Sequence, residues 1–180
     1  VPQQQLNGRR GYQPRGRVLG GSSSVNAMVY IRGTPADYDR WAEAGASGWS
    51  YQDVLPFFKR SQDQARGEDE FHGTGGPLAV TDLRYKNPLS HMFVDAARQL
   101  DLPLNHDFNG DSQEGLGFYQ VTQRDGRRCS AAAAYLTPVL GRSNLEVITG
   151  AQVETLVIEE QRAVGVAFRK GDRTMTLRAD

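Results

Sequence analysis

Polar residues, glycine and proline fill positions 1–19, which predict an extended arm. An apolar stretch from Ser22 to Ile31 then predicts a short buried helix. Thr34, Pro35 and Asp37 carry the residue types of a helix start, so "TPADYDRWAEAG" opens a helix with Tyr38, Trp41 and Ala42 on one face. Ser50 and Asp53 repeat that chemistry ahead of Val54, Leu55, Phe57 and Phe58. Pro56, in the second turn, lacks the N–H that a helix interior needs and should kink or tighten it. Trp41, Trp49, Phe57 and Phe58 recur at helical spacing, so core packing is the expectation for them. Residues 61–77 are charged and glycine-rich and read as loop. Asn87 and Pro88 begin a third helix reaching about Leu100, with Leu89, Phe93, Ala96 and Ala97 inward. "GFYQVTQ" followed by "RDG" reads as a strand and a turn, and Ser130 caps a short alanine helix.

Beyond residue 143 the period changes. "NLEVITG", "AQVETLVIEE", "RAVGVAFRK" and "RTMTLRA" are four β-rich runs separated by turns. Strands after helices predict an α+β fold, with a boundary near Gly141–Asn144.

Composition narrows the function classes. The 180 residues carry 21 Lys plus Arg against 21 Asp plus Glu, so no global field exists to attract nucleic acid. The basic cluster Arg9, Arg10, Arg15 and Arg17 is local and reads as a solvated arm. No apolar run approaches membrane-spanning length. Cys129 is the single cysteine, which excludes an intrachain disulfide and a thiolate metal cluster. A reducing, cytoplasmic setting fits, with peripheral association at a membrane surface left open. Val1 in place of methionine, and a last run that reads as a strand, suggest a piece of a longer protein.

The candidate chemistry centres on "GRVLGGSSSVNAMVYIRG", residues 16–33. Gly20 and Gly21 would let backbone approach a phosphate closely, Ser22, Ser23 and Ser24 offer hydroxyl donors, and Arg17 could add charge. A glycine-rich turn with no ligand has the same composition, and the stretch is not of GxGxxG form. His72, His91 and His106 show no converging metal-ligand spacing and read as solvated or packing residues. No G-x-S-x-G elbow surrounds Ser130, so a cap is its expected role.

The longer pattern is more specific. From Gly16 and Arg17 through Gly20, Gly21, Ser22, Ser23, Val25 and Asn26 to Tyr30, Gly33 and Asp39, it resembles the first signature of the glucose–methanol–choline oxidoreductases, flavin-dependent alcohol oxidases and dehydrogenases. The resemblance continues through "FHGTGGPLAV", "DFNGDSQEGLGFYQVTQRDGRR" and "NLEVITGAQVETLVIEEQRAVGV", and its nearest branch is that of the choline and aliphatic alcohol dehydrogenases. It implies FAD as cofactor and a small alcohol as substrate, with the electron acceptor unspecified and a homo-oligomer compatible. It implies that Val18, Gly20, Gly21 and Ser22 approach the cofactor. Asn26, Ala27, Met28 and Val29 would lie beside the flavin ring, and the Val153 backbone would meet the adenine. By the same resemblance, residues 1–33 form a flavin-binding segment and 34–142 a helical, substrate-side region that is part of a substrate domain with an antiparallel sheet. Residues 143–180 would be strands returning to an FAD/NAD(P)-binding-type α/β domain.

Departures from the family pattern matter equally. Some members carry at the Val25 position a histidine bonded covalently to flavin, and valine cannot form that bond, so the FAD is expected to be non-covalent. The family's GxGxxG segment and its C-terminal catalytic histidine have no counterpart in these 180 residues. No catalytic residue and no metal ligand is therefore assigned, and the isolated chain is expected to be inactive. The alternative is a non-catalytic module that keeps the fold without the chemistry.

Overall fold

The computed structural model describes residues 2–179. The chain divides into two compact units, residues 1–139 and 140–180. Helices and short strands alternate in the first unit and an antiparallel sheet makes up the second, so the architecture is α+β.

In the first unit, side chains that satisfy backbone donors set the helix starts. Asp37 Oδ2 accepts from the Thr34 N–H at 2.8 Å and from its hydroxyl at 2.9 Å, opening α1, Pro35–Glu43. Ser50 and Asp53 form the reciprocal box that opens α2, Tyr51–Ser61, which contains Pro56. Asn87 Oδ1 accepts from Leu89 N at 2.9 Å and opens α3, Pro88–Gln99.

The strands of this unit are short. β1, Gln62–Gln64, pairs in parallel with β2, Leu78–Val80. β1 falls inside the stretch expected to be loop, because its glutamines are buried and paired rather than solvated. "GFYQVTQ" is not a continuous strand: Val121 makes isolated bridges to Val29 and Thr81. A minimal hairpin follows, with β3, Gln123–Arg124, against β4, Arg127–Arg128. Its two turn residues, Asp125 at φ 52° and Gly126 at φ 76°, adopt the left-handed conformation that matches hairpin twist. Ser130 Oγ accepts from Ala133 N at 3.2 Å, and a π-helical turn occupies Ala132–Leu136.

The expected helix over Ser22–Ile31 is not formed. A single 3-10 turn spans Gly21–Ser24, and the chain beyond it is extended and largely exposed. Positive φ at Gly20, Gly21 and Met28 breaks the helical path. The Ser23 and Ser24 hydroxyls donate to Gly20 O and Leu19 O, giving the backbone local partners in place of a helix ladder.

Two expectations about burial also change. On α3, Ala97 is buried, but Leu89, Phe93 and Ala96 are exposed, Leu89 at 71%. Trp41, Trp49 and Phe57 are likewise half-exposed, forming an edge-to-face aromatic surface with the Tyr38–Trp41 and Trp41–Trp49 centroids 5.5 and 5.8 Å apart. Much of the interior is polar instead. Arg32, Gln62, Gln64, His72, Asn109 and Gln120 are all buried. Gln64 and Gln120 bond reciprocally, amide to carbonyl, at 2.8 and 3.0 Å. The Arg32 guanidinium donates to Gln62 Oε1 and Phe71 O and lies 5.0 Å from the Phe58 ring centroid.

The second unit is an antiparallel sheet in the order β5–β6–β7, with β5 Ala151–Glu159, β6 Arg162–Lys170 and β7 Arg173–Arg178. Three strands form rather than four, because "NLEVITG" stays irregular. Gly165 is required in β6, since a Cβ there would stand 2.3 Å from Leu177 O.

Candidate functional site

The glycine-rich stretch is built as a loop fastened from within. A Cβ on Gly16 would stand 2.2 Å from Gly21 O, so only glycine permits this approach of residues 16 and 21. Gly16 N–H donates to Ser22 Oγ at 3.2 Å. Ser23 Oγ also accepts from Ala131 N at 2.9 Å, joining the loop to the start of the alanine helix. The serine hydroxyls expected to face a phosphate are thus engaged largely inside the chain. Gly20 is crowded by Ser24 and Ala132, whereas Gly21 opens onto free space.

The extended segment that follows is an edge. Thr122 N donates to Met28 O at 2.8 Å, and Tyr30 N donates to Gln120 O at 2.9 Å. Val121, between those partners, exchanges both backbone bonds with Thr81 at 2.9 Å. Met28 C=O and Tyr30 N–H, on either side of Val29, bond inward to Thr122 and Gln120, while the N–H and C=O of Ala27 and Val29 have no partner among the described residues. Such an open row of donors and acceptors suits a planar heterocycle whose edge carries both.

Side-chain hydrogen bonds tie the edge to the rest of the first unit. Asn26 Oδ1 accepts from Met28 N at 3.0 Å and from Arg128 Nη1 at 2.8 Å, leaving the Asn26 amide NH₂ without a partner among the described residues. Arg128 also donates to Ser23 O at 3.0 Å. Farther along, Asn109 accepts from Arg32 N at 2.8 Å and donates to Tyr30 O at 3.1 Å, while Gln113 donates to Arg32 O at 2.9 Å. Sequence reasoning missed Arg128, Asn109 and Gln113. Each acts across more than seventy residues and carries no periodic signal.

An apolar cavity of about 470 Å³ lies against this edge, lined by Ala27, Val29, Leu83, Leu89, Phe93 and Phe118 among others. The exposed apolar positions of α3 form one of its walls. Val18 and Val25 are exposed elsewhere on the segment, Val25 at 63%. Val153 belongs to β5, an edge strand of the second unit. It pairs with Phe168, and its C=O accepts from Gln152 Nε2 at 3.3 Å.

The histidines separate. His72, 1% exposed, takes the packing role, with Nδ1 2.8 Å from Asp69 Oδ1 and Nε2 3.4 Å from Asp107 Oδ2. The fold thus brings together three potential ligands that the sequence spacing did not reveal. The carboxylates approach opposite ring nitrogens, which suits a bridging imidazole better than three donors around one ion. Burial acts to raise the Asp69 pKa, but the His72 ring and the Phe71 and His72 backbone N–H groups outweigh it and hold the carboxyl below its ordinary value. No helix among the described residues is long and apolar enough to cross a membrane.

Comparison with known proteins accounts for this construction. Residues 3–179 match the family model described as GMC oxidoreductase, and the chain belongs to that family. It is 48% identical over 179 residues to the oxygen-dependent choline dehydrogenase of Sinorhizobium medicae (strain WSM419), covering 99% of this chain and 32% of that protein. The crystal structure of pyridoxine 4-oxidase from Mesorbium loti superposes with a TM-score of 0.90 at 35% identity, covering 99% of this chain and 36% of that one. An FAD-dependent oxidoreductase from Chaetomium thermophilum gives 0.88 at 27% identity, covering 99% and 34%. The chain spans about a third of the length of the curated relatives it matches. FAD is the cofactor of this family, as the sequence led us to expect.

Proposed function

We propose that this chain is the central part of an FAD-dependent alcohol dehydrogenase that converts a small alcohol to its aldehyde. The observation that carries the reading is the open backbone edge at Ala27 and Val29, held by Asn26 and Arg128 beside an apolar cavity. Residues 1–33 are the flavin-binding segment, 34–142 the substrate-side region, and 143–180 the strands that return to the flavin domain. When bound, FAD would supply a two-electron acceptor, its N5, for the hydride of an alcohol carbon.

The contribution of these residues is position. Val18, Gly20, Gly21 and Ser22 bring the loop to the cofactor, and the Ala27 and Val29 backbone with the Asn26 amide hold the ring edge. Val153 offers backbone contacts to the adenine. None of these side chains moves a proton, and the base is assigned to no residue of this chain.

The flavin is held without a covalent bond, because the Val25 isopropyl group has no atom that can attack the ring methyl carbon. Acid precipitation of the full-length flavoenzyme should leave a yellow supernatant. A pellet that stays yellow, with flavin mass on a peptide from residues 16–33, would contradict it. Asn26→Leu should lower bound flavin per protein and kcat/KM together. Unchanged flavin content and unchanged turnover would remove Asn26 from the site.

A further inference from the structure

The orientation of one amide at the site follows from the chemistry of its neighbours. Asn26 meets Met28 N at 3.0 Å and Arg128 Nη1 at 2.8 Å through a single atom of its amide. A backbone N–H and a guanidinium can only donate, so that atom must be the oxygen. A rotated amide would set its NH₂ against two donors. The NH₂ is thereby turned away from Met28 and Arg128, on a side chain that is itself exposed.

Arg128 reaches this contact through the hairpin that pairs with the extended segment. It ends β4. Cys129 N, the next residue, donates to Thr122 O at 2.9 Å, and Thr122 N donates to Met28 O at 2.8 Å. A backbone ladder therefore carries the guanidinium to Asn26. Nη1 also donates to Ser23 O at 3.0 Å, so it is held from both sides of the turn. A cation on the amide oxygen draws electron density from the amide and strengthens its N–H groups as donors. A hydrogen bond to the more electron-rich form of a group stabilises that form over the other. Reduction adds an electron pair to a flavin ring, so a fixed, polarised N–H at the ring edge favours the reduced form.

We infer that Arg128 is a positioning residue that raises the reduction potential of the flavin, acting through the Asn26 amide that it orients and polarises. The inference rests on the reading above that puts the Asn26 amide at the ring edge, and it names the residue that tunes that contact.

Dye-equilibration titration of the full-length flavoenzyme tests it. Arg128→Met removes both contacts and should lower the equilibrium constant for flavin reduction about ten-fold, or about 30 mV for a two-electron couple. One nitrogen makes both contacts, so the ammonium of Arg128→Lys can replace it and should bring the constant to within about three-fold of the unaltered enzyme. Arg127→Gln removes the adjacent, exposed charge and should leave the constant within about two-fold. Tryptophan-fluorescence titration with oxidised and with dithionite-reduced FAD reads the same ratio in a variant that holds flavin weakly. There Arg128→Met should weaken the reduced form about ten-fold more than the oxidised form. An unchanged constant, or an equal loss of affinity for both forms, shows that Arg128 only fastens the loop and overturns the inference. An Arg127→Gln shift as large as that of Arg128→Met assigns the effect to charge at a distance and overturns it too. In those cases a change of potential or flavin content in Asn26→Leu leaves the reading of the site standing. Asn26→Leu without effect on potential, flavin content or turnover overturns both.

Discussion

Met28 sits at φ 64°, between an Asn26 side chain that accepts its N–H and a Thr122 backbone that donates to its carbonyl. A β-branched side chain in that conformation is strained, at a cost of about 1–2 kcal/mol. Met28→Ile should lower the melting temperature and Met28→Gly should not, as differential scanning calorimetry would show. Asp82 gives the stability of the fold a pH dependence. The Arg66 guanidinium, bonded to Asp82 at 2.7 Å, is the main cause holding its carboxyl below the ordinary value, with help from Gln120 and Lys86 and against partial burial. A carboxyl whose pKa is lower in the folded state stabilises the fold above its unfolded pKa. That contribution is lost as pH falls through the folded value. The stability lost on acidification should therefore appear below about pH 4. Asp82→Asn should flatten that limb in urea titrations from pH 2 to 6. A profile with the same acid slope in both proteins would show that the Arg66 pair contributes nothing there.

Helices and strands differ in how much the sequence disclosed. The starts of all three α-helices were legible, because capping is local: Thr34 with Asp37, Ser50 with Asp53, and Asn87 two residues before the N–H it accepts. The hairpin turn at Asp125–Gly126 was legible for the same reason. The apolar stripe of α3 was legible as a stripe. What covers Leu89 and Phe93 was not, since amphipathicity states that a face is apolar and not what lies against it. The strip around Ala27 and Val29 was misread as a helix. Its extended form depends on Thr122, Gln120 and Asn109, which are distant in sequence and invisible to any window. The polar interior escaped for a related reason, as a buried glutamine has no period. Its energetics are open to a double-mutant cycle. Gln64→Leu or Gln120→Leu alone leaves a buried amide without its partner and should cost about 1–3 kcal/mol. The double variant should recover part of that loss, so the coupling measured by urea denaturation should be favourable. Strictly additive losses would show that the reciprocal pair acts as two independent residues.

For the whole molecule, the family was legible from the pattern across residues 16–39, and the covered length of the relatives agrees with the expectation of a piece of a longer protein. The supports of the site were not. Arg128, Asn109 and Gln113 became visible only when the fold placed them around the segment from Ser23 to Arg32. The balance of 21 basic and 21 acidic residues has a colloidal consequence. Copies without net charge do not repel one another, and these copies expose Trp41, Trp49, Phe57, Leu89, Met92 and Phe93. The solubility minimum of the isolated chain should therefore fall near neutral pH. Light scattering at fixed concentration should be stronger at pH 7 than at pH 9, and equal scattering at both would dissociate self-association from charge. Met92 is 65% exposed on α3 and lies outside the cavity, so Met92→Glu adds like charge to every copy at little structural cost. It should keep the chain in solution at the pH at which the unaltered sequence clouds.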